Sequence, residues 1–135
     1  MKTTRIAEVR FLRALFYFNL VQFFGDIHLS LDETVGVEID ANRTPASQIY
    51  TDAIIPDLEF AIDNLPDSQN EYGRATKPAA EFLLAKVYMT RAYKTYGAGN
   101  ADATEAARLM GNVIDNYDFS LLPDFADLWD INNER

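Results

Sequence analysis

Glu8-Val9-Arg10-Phe11-Leu12-Arg13-Ala14-Leu15-Phe16-Tyr17-Phe18-Asn19-Leu20-Val21-Gln22-Phe23-Phe24-Gly25-Asp26 decides how the rest of the chain is read. From Ile6 to Phe24, 14 of 19 residues are apolar; the polar ones are Glu8, Arg10, Arg13, Asn19 and Gln22. No proline interrupts the run and the first glycine is Gly25. The stretch therefore predicts one long helix over 5–24, closed by a glycine C-cap. Its apolar residues do not keep to one stripe, which implies cover on more than one side. The longest charge-free run, Ala14 to Gly25, is 12 residues, short of the roughly 20 that a membrane span needs. The expectation is a buried core helix with the rest of the chain built to cover it.

Working outward, the totals describe a globular chain. Of 135 residues, 48% are apolar and 24% charged, far from the composition of a disordered segment. The charge is uneven. Residues 1–25 carry Lys2, Arg5, Arg10 and Arg13 against Glu8 alone, a net +3, which leaves −12 of the total −9 for the remainder. So acidic a surface repels phosphate backbones and anionic lipid, so nucleic acid is not an expected partner. There is no cysteine, so disulfides, thiolate metal sites and cysteine nucleophiles are excluded. The charged segment after Met1 runs straight into the apolar helix and does not read as a secretory leader. Residues 1–135 read as a single helical segment of a longer protein, truncated at both ends.

Residues 25–45 form a polar connection, expected to carry an extended pair or a short helical turn. Asn42-Arg43-Thr44 matches the glycosylation pattern, but so short a match is read as chance. A second helix is predicted over 46–65, with Thr44 as N-cap and Pro45 at N1. Its apolar positions Tyr50, Ile54, Leu58, Ala61 and Leu65 keep helical spacing. Pro56 removes the bond to the Asp52 carbonyl and should kink it. Thr76 should cap a third helix over 77–96, stopped by Gly97. One of its apolar faces is Ala80, Leu84, Val87 and Tyr88; the other is Phe82, Ala85, Met89, Ala92 and Tyr96. Two faces imply two neighbours. Asp102 to Glu105 resembles a capping box and predicts a fourth helix over 103–116, with Ala106, Ala107, Met110, Val113 and Ile114 on one face. Tyr117 to Leu122 reads as extended, and Pro123 to Trp129 as one or two helical turns.

The chain repeats itself. Phe11-Leu12-Arg13-Ala14-Leu15-Phe16-Tyr17-Phe18 aligns with Phe82-Leu83-Leu84-Ala85-Lys86-Val87-Tyr88-Met89, and Leu58 to Pro66 resembles the second helix of a tetratricopeptide repeat. The predicted architecture is all-α: two stacked helical hairpins, 5–24 with 46–65 and 77–96 with 103–116.

Residues that carry chemistry are few. His28 is the single histidine and reads as a solvated loop residue, so no histidine triad or His-rich metal site can be assembled. Asp124, Asp127 and Asp130 read as a solvated face: glycosidase carboxylates must face each other across a cleft, and the EF-hand spacing is absent. Arg10 and Arg13, set in an apolar helix, should pair with acids from the second helices or the 67–74 loop, with Arg13 largely buried. The aromatics Phe11, Phe16, Tyr50, Phe82 and Tyr88 fall on core positions; Tyr72, Tyr93 and Trp129 are expected to be exposed. No catalytic residue, metal ligand or cofactor site is assigned, and the ligand-contact residues are unknown.

Four motifs, in order, resemble one family. Ala7 to Ala14, followed by the aromatic run and Phe24-Gly25-Asp26, is similar to the signature helix of the SusD/RagB nutrient-binding lipoproteins of the Bacteroidetes outer membrane. Tyr50 to Pro66, the Gly73-Arg74-Ala75-Thr76-Lys77 segment and Tyr117 to Trp129 resemble the segments that follow. His28 stands where the family usually has proline, and Trp129 where phenylalanine is commoner. The resemblance implies a tetratricopeptide-like scaffold in a non-catalytic, lipid-anchored surface protein. Such a protein holds an oligosaccharide or other nutrient as a lid on a TonB-dependent, SusC-like transporter. It also implies that the lipid-bearing cysteine and glycan-contacting aromatics lie in parts absent from this chain, so no binding residue carries over. The residues alone leave a generic tetratricopeptide-type protein–protein scaffold open.

Overall fold

The computed structural model describes residues 2–33, 35–37 and 42–130. Helix α1, Lys2–Phe24, is 23 residues long and ends where Gly25 adopts φ 70°, its N–H bonding back to the Val21 carbonyl at 3.0 Å. A left-handed turn of that kind favours glycine over any residue with a Cβ. The connection that follows is held at its two ends. Ile27 and Thr44 form an isolated antiparallel bridge with N–H to carbonyl bonds of 3.2 and 2.8 Å. Asp26 accepts the Ala46 N–H at 2.8 Å and, through its carbonyl, the Arg43 Nε at 3.0 Å. Asp26, not Thr44, thus caps the next helix, from 20 residues away in sequence.

That helix begins as α2, Ala46–Ile49, widens into a π-turn, Tyr50–Ile54, and continues as α3, Ile55–Asn64. Where a kink is predicted, the structure has this wide turn. Pro56 has no N–H to donate and its ring crowds the preceding turn, and the wide turn just before it relieves both. Helix α4 spans Lys77–Ala92 and α5 Asn100–Asn116. Helix α4 stops four residues short of the predicted end. The chain turns back there, so that a Cβ on Gly97 would collide with the Arg91 carbonyl. Helix α5 starts earlier than predicted, at Asn100, with Asp102 inside its first turn. A 3₁₀ turn, Phe125–Trp129, lies beyond it.

The hairpins form as expected, α1 against α3 and α4 against α5, with α3 against α4 joining them. One core runs through the stack, with Phe18, Ile49, Tyr50, Leu58, Leu84, Val87 and Leu109 buried in it. A smaller cluster of Ala7, Ala61, Leu65 and Ala80 closes one end. Small residues there let three helices approach closely.

The cover expected for α1 is where the structure differs. Ala7, Ala14, Phe18 and Val21 are its buried residues, a single stripe facing the π-turn and α3. Val9 is 64% exposed, Phe16 63% and Phe23 81%. The described elements that pack on α1 lie on one side of it, and among the described residues nothing covers its second apolar face. On α4, Phe82 and Met89 are likewise exposed, while Leu83 and Glu81 are buried. On α5, Leu109 is buried and Ile114 exposed.

Candidate interaction surface

The polar residues of the sequence motifs tie helices together. The Arg13 guanidinium donates from Nε to Asp57 Oδ2 at 2.6 Å and from Nη2 to Oδ1 at 2.8 Å. Nη1 reaches the Leu31 carbonyl at 3.3 Å, which holds the loop against α1. Pairing with an acid of the second helix was expected; deep burial of the arginine was not found. The Arg13 side chain is 32% exposed and it is Asp57, at 3%, that is sunk in the protein. A long side chain buries its stem and leaves part of its head in water. Arg10 shares the same carboxylate, with Nε 3.8 Å from Asp57 Oδ1, and lays its guanidinium over the Phe60 ring at 4.2 Å.

A second tie joins two motifs 66 residues apart. Arg74 donates from Nε and Nη2 to both oxygens of Glu8 at 2.8 and 2.7 Å, and Gln69 adds a bond to Glu8 at 2.9 Å. The hydrogen bonds from Arg74 hold the Glu8 carboxyl below the usual glutamate range. The two carboxylates, Glu8 first and then Glu71, push the guanidinium up. A third tie closes the other hairpin. Arg91 Nε donates to Asp102 Oδ2 at 2.9 Å, Ala98 N–H to the same oxygen at 2.9 Å, and the arginine holds the Asp102 carboxyl low. Glu81 is buried on α4 and accepts from Asn112 at 2.7 Å through Oε1. Neither Glu8–Arg74 nor Arg91–Asp102 was assigned from sequence, because partners 66 and 11 residues apart have no local periodicity to mark them.

Among the described residues this arrangement assembles no nucleophile–base pair. His28 lies on the exposed loop with Nδ1 3.2 Å from the Asn42 carbonyl. Asp124 accepts the Ala126 N–H at 2.9 Å and so caps the last turn. Among the described residues no group of three His, Cys, Asp or Glu side chains is placed to hold a metal ion. Tyr50 is fully buried, its hydroxyl accepting from Gln22 at 2.7 Å, and burial pushes its phenol up to about 12. Tyr72, Tyr93 and Trp129 are exposed as expected and sit on separate elements. Phe16 and Phe82, expected in the core, are exposed.

What remains is surface. Helix α1 presents Ile6, Val9, Leu12, Phe16, Leu20 and Phe23. Beside this ridge runs a groove of about 610 Å³ lined by Lys2, Arg5, Ile6, Val9, Arg10 and Leu31 among others. On its other side Phe11 and Leu12 face Ala75 and Ala79 across a smaller groove of about 360 Å³. An apolar ridge between two grooves is the shape onto which a further helix packs.

Comparison with known proteins settles the family. Residues 3–89 match SusD-like sequences, described as starch-binding and associating with the outer membrane. The chain belongs to the SusD-like family. It is 37% identical over 128 residues to SusD-like protein P2 of Formosa agariphila, covering 93% of this chain and 24% of that protein. A SusD superfamily protein from Parabacteroides distasonis superposes with a TM-score of 0.86 at 36% identity, over 93% of this chain and 27% of that one. A crystal structure with xylogluco-oligosaccharide superposes at 0.85 and 33% identity, over 94% and 26%. A laminarin-binding SusD-like protein does so at 0.82 and 32%, over 95% and 28%. The chain thus spans about a quarter of the length of the SusD-like proteins it matches. The SusD-like likeness extends over both hairpins. No helix among the described residues is long and apolar enough to cross a membrane.

Proposed function

We infer that this chain is the helical scaffold of a cell-surface glycan-binding protein that works with a TonB-dependent, SusC-like transporter. The observation that carries the reading is its likeness, at 33% identity and a TM-score of 0.85, to a structure holding xylogluco-oligosaccharide. The glycan is held by the whole protein, and this segment supplies the frame and a contact surface for the transporter. Two features of the segment support that division. Its buried rings, Phe18 and Tyr50, pack edge to face at 6.3 Å and present no face to a sugar. Its arginines Arg13, Arg74 and Arg91 are engaged with Asp57, Glu8 and Asp102. The family's association with the outer membrane supports a surface location with a lipid anchor outside this segment. The protein performs no chemistry on the glycan; it captures and delivers.

Calorimetric titration of the chain with a panel of oligosaccharides, xylogluco-oligosaccharide included, tests this. No saturable heat is expected at millimolar sugar. Saturable binding that Trp129→Ala abolishes would place the site inside this segment and overturn the division. Retention of a SusC-like barrel on immobilised chain is the matching expectation for the transporter.

A further inference from the structure

Tyr117 is the last described residue that is not exposed. It is half-buried, whereas every described side chain from Asp118 to Asp130 is exposed. The junction between the helical stack and this segment therefore rests on what Tyr117 touches. Its neighbour is Glu81, which is 4% exposed on α4. Oε1 of Glu81 accepts from Asn112 Nδ2 of α5 at 2.7 Å, and Asn112 Oδ1 accepts from Asn116 Nδ2 at 2.5 Å. These two bonds run down α5 to its last residue, one step before Tyr117. Glu81 Oε2 is buried and has no hydrogen-bond partner. Among the described residues no ion pair reaches Glu81. A buried carboxylate oxygen without a donor is unfavourable, and a hydroxyl that reaches it makes a stronger bond than it would to a neutral acceptor.

We propose that the Tyr117 hydroxyl donates to Glu81 Oε2, and that this bond is a latch fixing the direction in which residues 118–130 leave the stack. The backbone at the end of α5 agrees. The helix stops at Asn116, and Tyr117 turns extended at φ −123° and ψ 147°. No glycine or proline stands between Asn112 and Pro123 to set that turn, which leaves it to a contact between helices. Tyrosine carries its donor at the end of a rigid ring, so one bond orients the chain at its root. Burial, and next the Glu81 carboxylate, push the Tyr117 phenol up to about 12, so the donor keeps its proton at neutral pH. Arg108 feels the Glu81 charge but donates to Glu105 at 2.9 and 2.6 Å, which leaves Oε2 to the tyrosine. With the latch closed, the order of α4 and α5 extends into the segment. With it open, residues 118–130 pivot about Tyr117 while the helices stay folded.

Backbone order parameters of the full, isotope-labelled chain test this by NMR. Residues 118–122 are expected at about 0.8 in the native chain and below about 0.6 in Tyr117→Phe. Glu81→Gln keeps an acceptor and is expected to keep that order. Glu81→Leu removes the acceptor and is expected to loosen the same residues, with Tyr117→Phe adding nothing on top of it. The amides of Leu84 and Leu109 stay ordered in each variant, which shows that α4 and α5 remain folded. A readout that needs no change at Glu81 is the Tyr117 hydroxyl proton. It is expected to be resolved in the native spectrum, with a through-space contact to the Asn112 side-chain amide. Four results would overturn the proposal. One is a segment as mobile in the native chain as in Tyr117→Phe, and another is a segment equally ordered in both. The third is loosening by Tyr117→Phe that persists in full in the Glu81→Leu background, which means that Tyr117 holds the segment through another partner. The fourth is a Tyr117 hydroxyl proton lost to exchange with water.

Discussion

Helices α1 and α4 are both apolar on more than one side, and their fates differ. Helix α4 lies between α3 and α5, so Leu83, Leu84, Ala85 and Val87 are all buried although they point in different directions. Helix α1 meets its neighbours on one side, and four of its 23 residues are buried. All-round apolarity therefore counts the neighbours a helix is suited to, and does not say which of them this chain provides. The same contrast separates the aromatic repeats. Val87 is fully buried and Phe16, its counterpart in the repeat frame, is exposed.

The sharpest way to break this contrast is to truncate both helices. Leu84→Ala in α4 is expected to cost about 3 kcal/mol, since it empties a well-packed site. Urea unfolding followed by circular dichroism measures it, and a loss under about 1 kcal/mol would mean that α4 is not the inner helix. Next in size is Arg13→Ala. Breaking a buried pair costs roughly 3–5 kcal/mol, but this arginine is one-third exposed, so screening reduces the expected loss to about 2 kcal/mol. A double-mutant cycle with Asp57→Ala checks that the loss belongs to the pair.

The hairpin around α4 should lose stability in acid, as should the Glu8–Arg74 tie on α1. Arg91 depresses the Asp102 carboxyl, so the native state binds its proton more weakly than the unfolded state. The resulting stability is present above the ordinary aspartate range and is lost as pH falls through the lower native value. Thermal melts between neutral and acid pH should show this slope, and Asp102→Asn should flatten it while lowering stability at neutral pH. Gly25→Ala, which places a Cβ on a residue at φ 70°, should cost about 1 kcal/mol. Phe16→Ala on the open face of α1 should change unfolding stability by less than about 0.5 kcal/mol. A larger loss at Phe16 would show the two helices to be equally covered.

Much of the architecture was legible in local pattern. The glycine stop at Gly25 and the spacing from Tyr50 to Leu65 each mark an element through short-range chemistry, whereas Thr76 stands at the N-cap of α4 without the side-chain bond expected of it. What could not be read was set by distance along the chain. Asp26 caps a helix that begins at Ala46, and Glu8 waits for Arg74; neither leaves a periodic trace. Helix ends moved for related reasons: the return of Gly97 onto Arg91 shortens α4, and Asp102 turns from a cap into the partner of Arg91. No ligand-contact residue could be read, and the motif residues turned out to bind one another. Glu8, Arg13, Asp57 and Arg74 lie in the stretches that resemble the family, and in this chain they fasten the helices together.

The π-turn over Tyr50–Ile54 has one more consequence. A helix advances about 100° per residue, and the wide turn holds one residue more than a regular turn would. Helix α2 and helix α3 are therefore out of phase by that angle, which lets Ile49 and Tyr50 face the far end of α1 while Asp57 and Leu58 face its middle. Deleting one exposed residue of the bulge, Thr51 or Asp52, would bring the two halves into phase and swing Ile49 and Tyr50 away from the core. At this turn, chain length itself carries structural information: the protein accepts a change of side chain at Thr51 far more readily than a change in the number of residues.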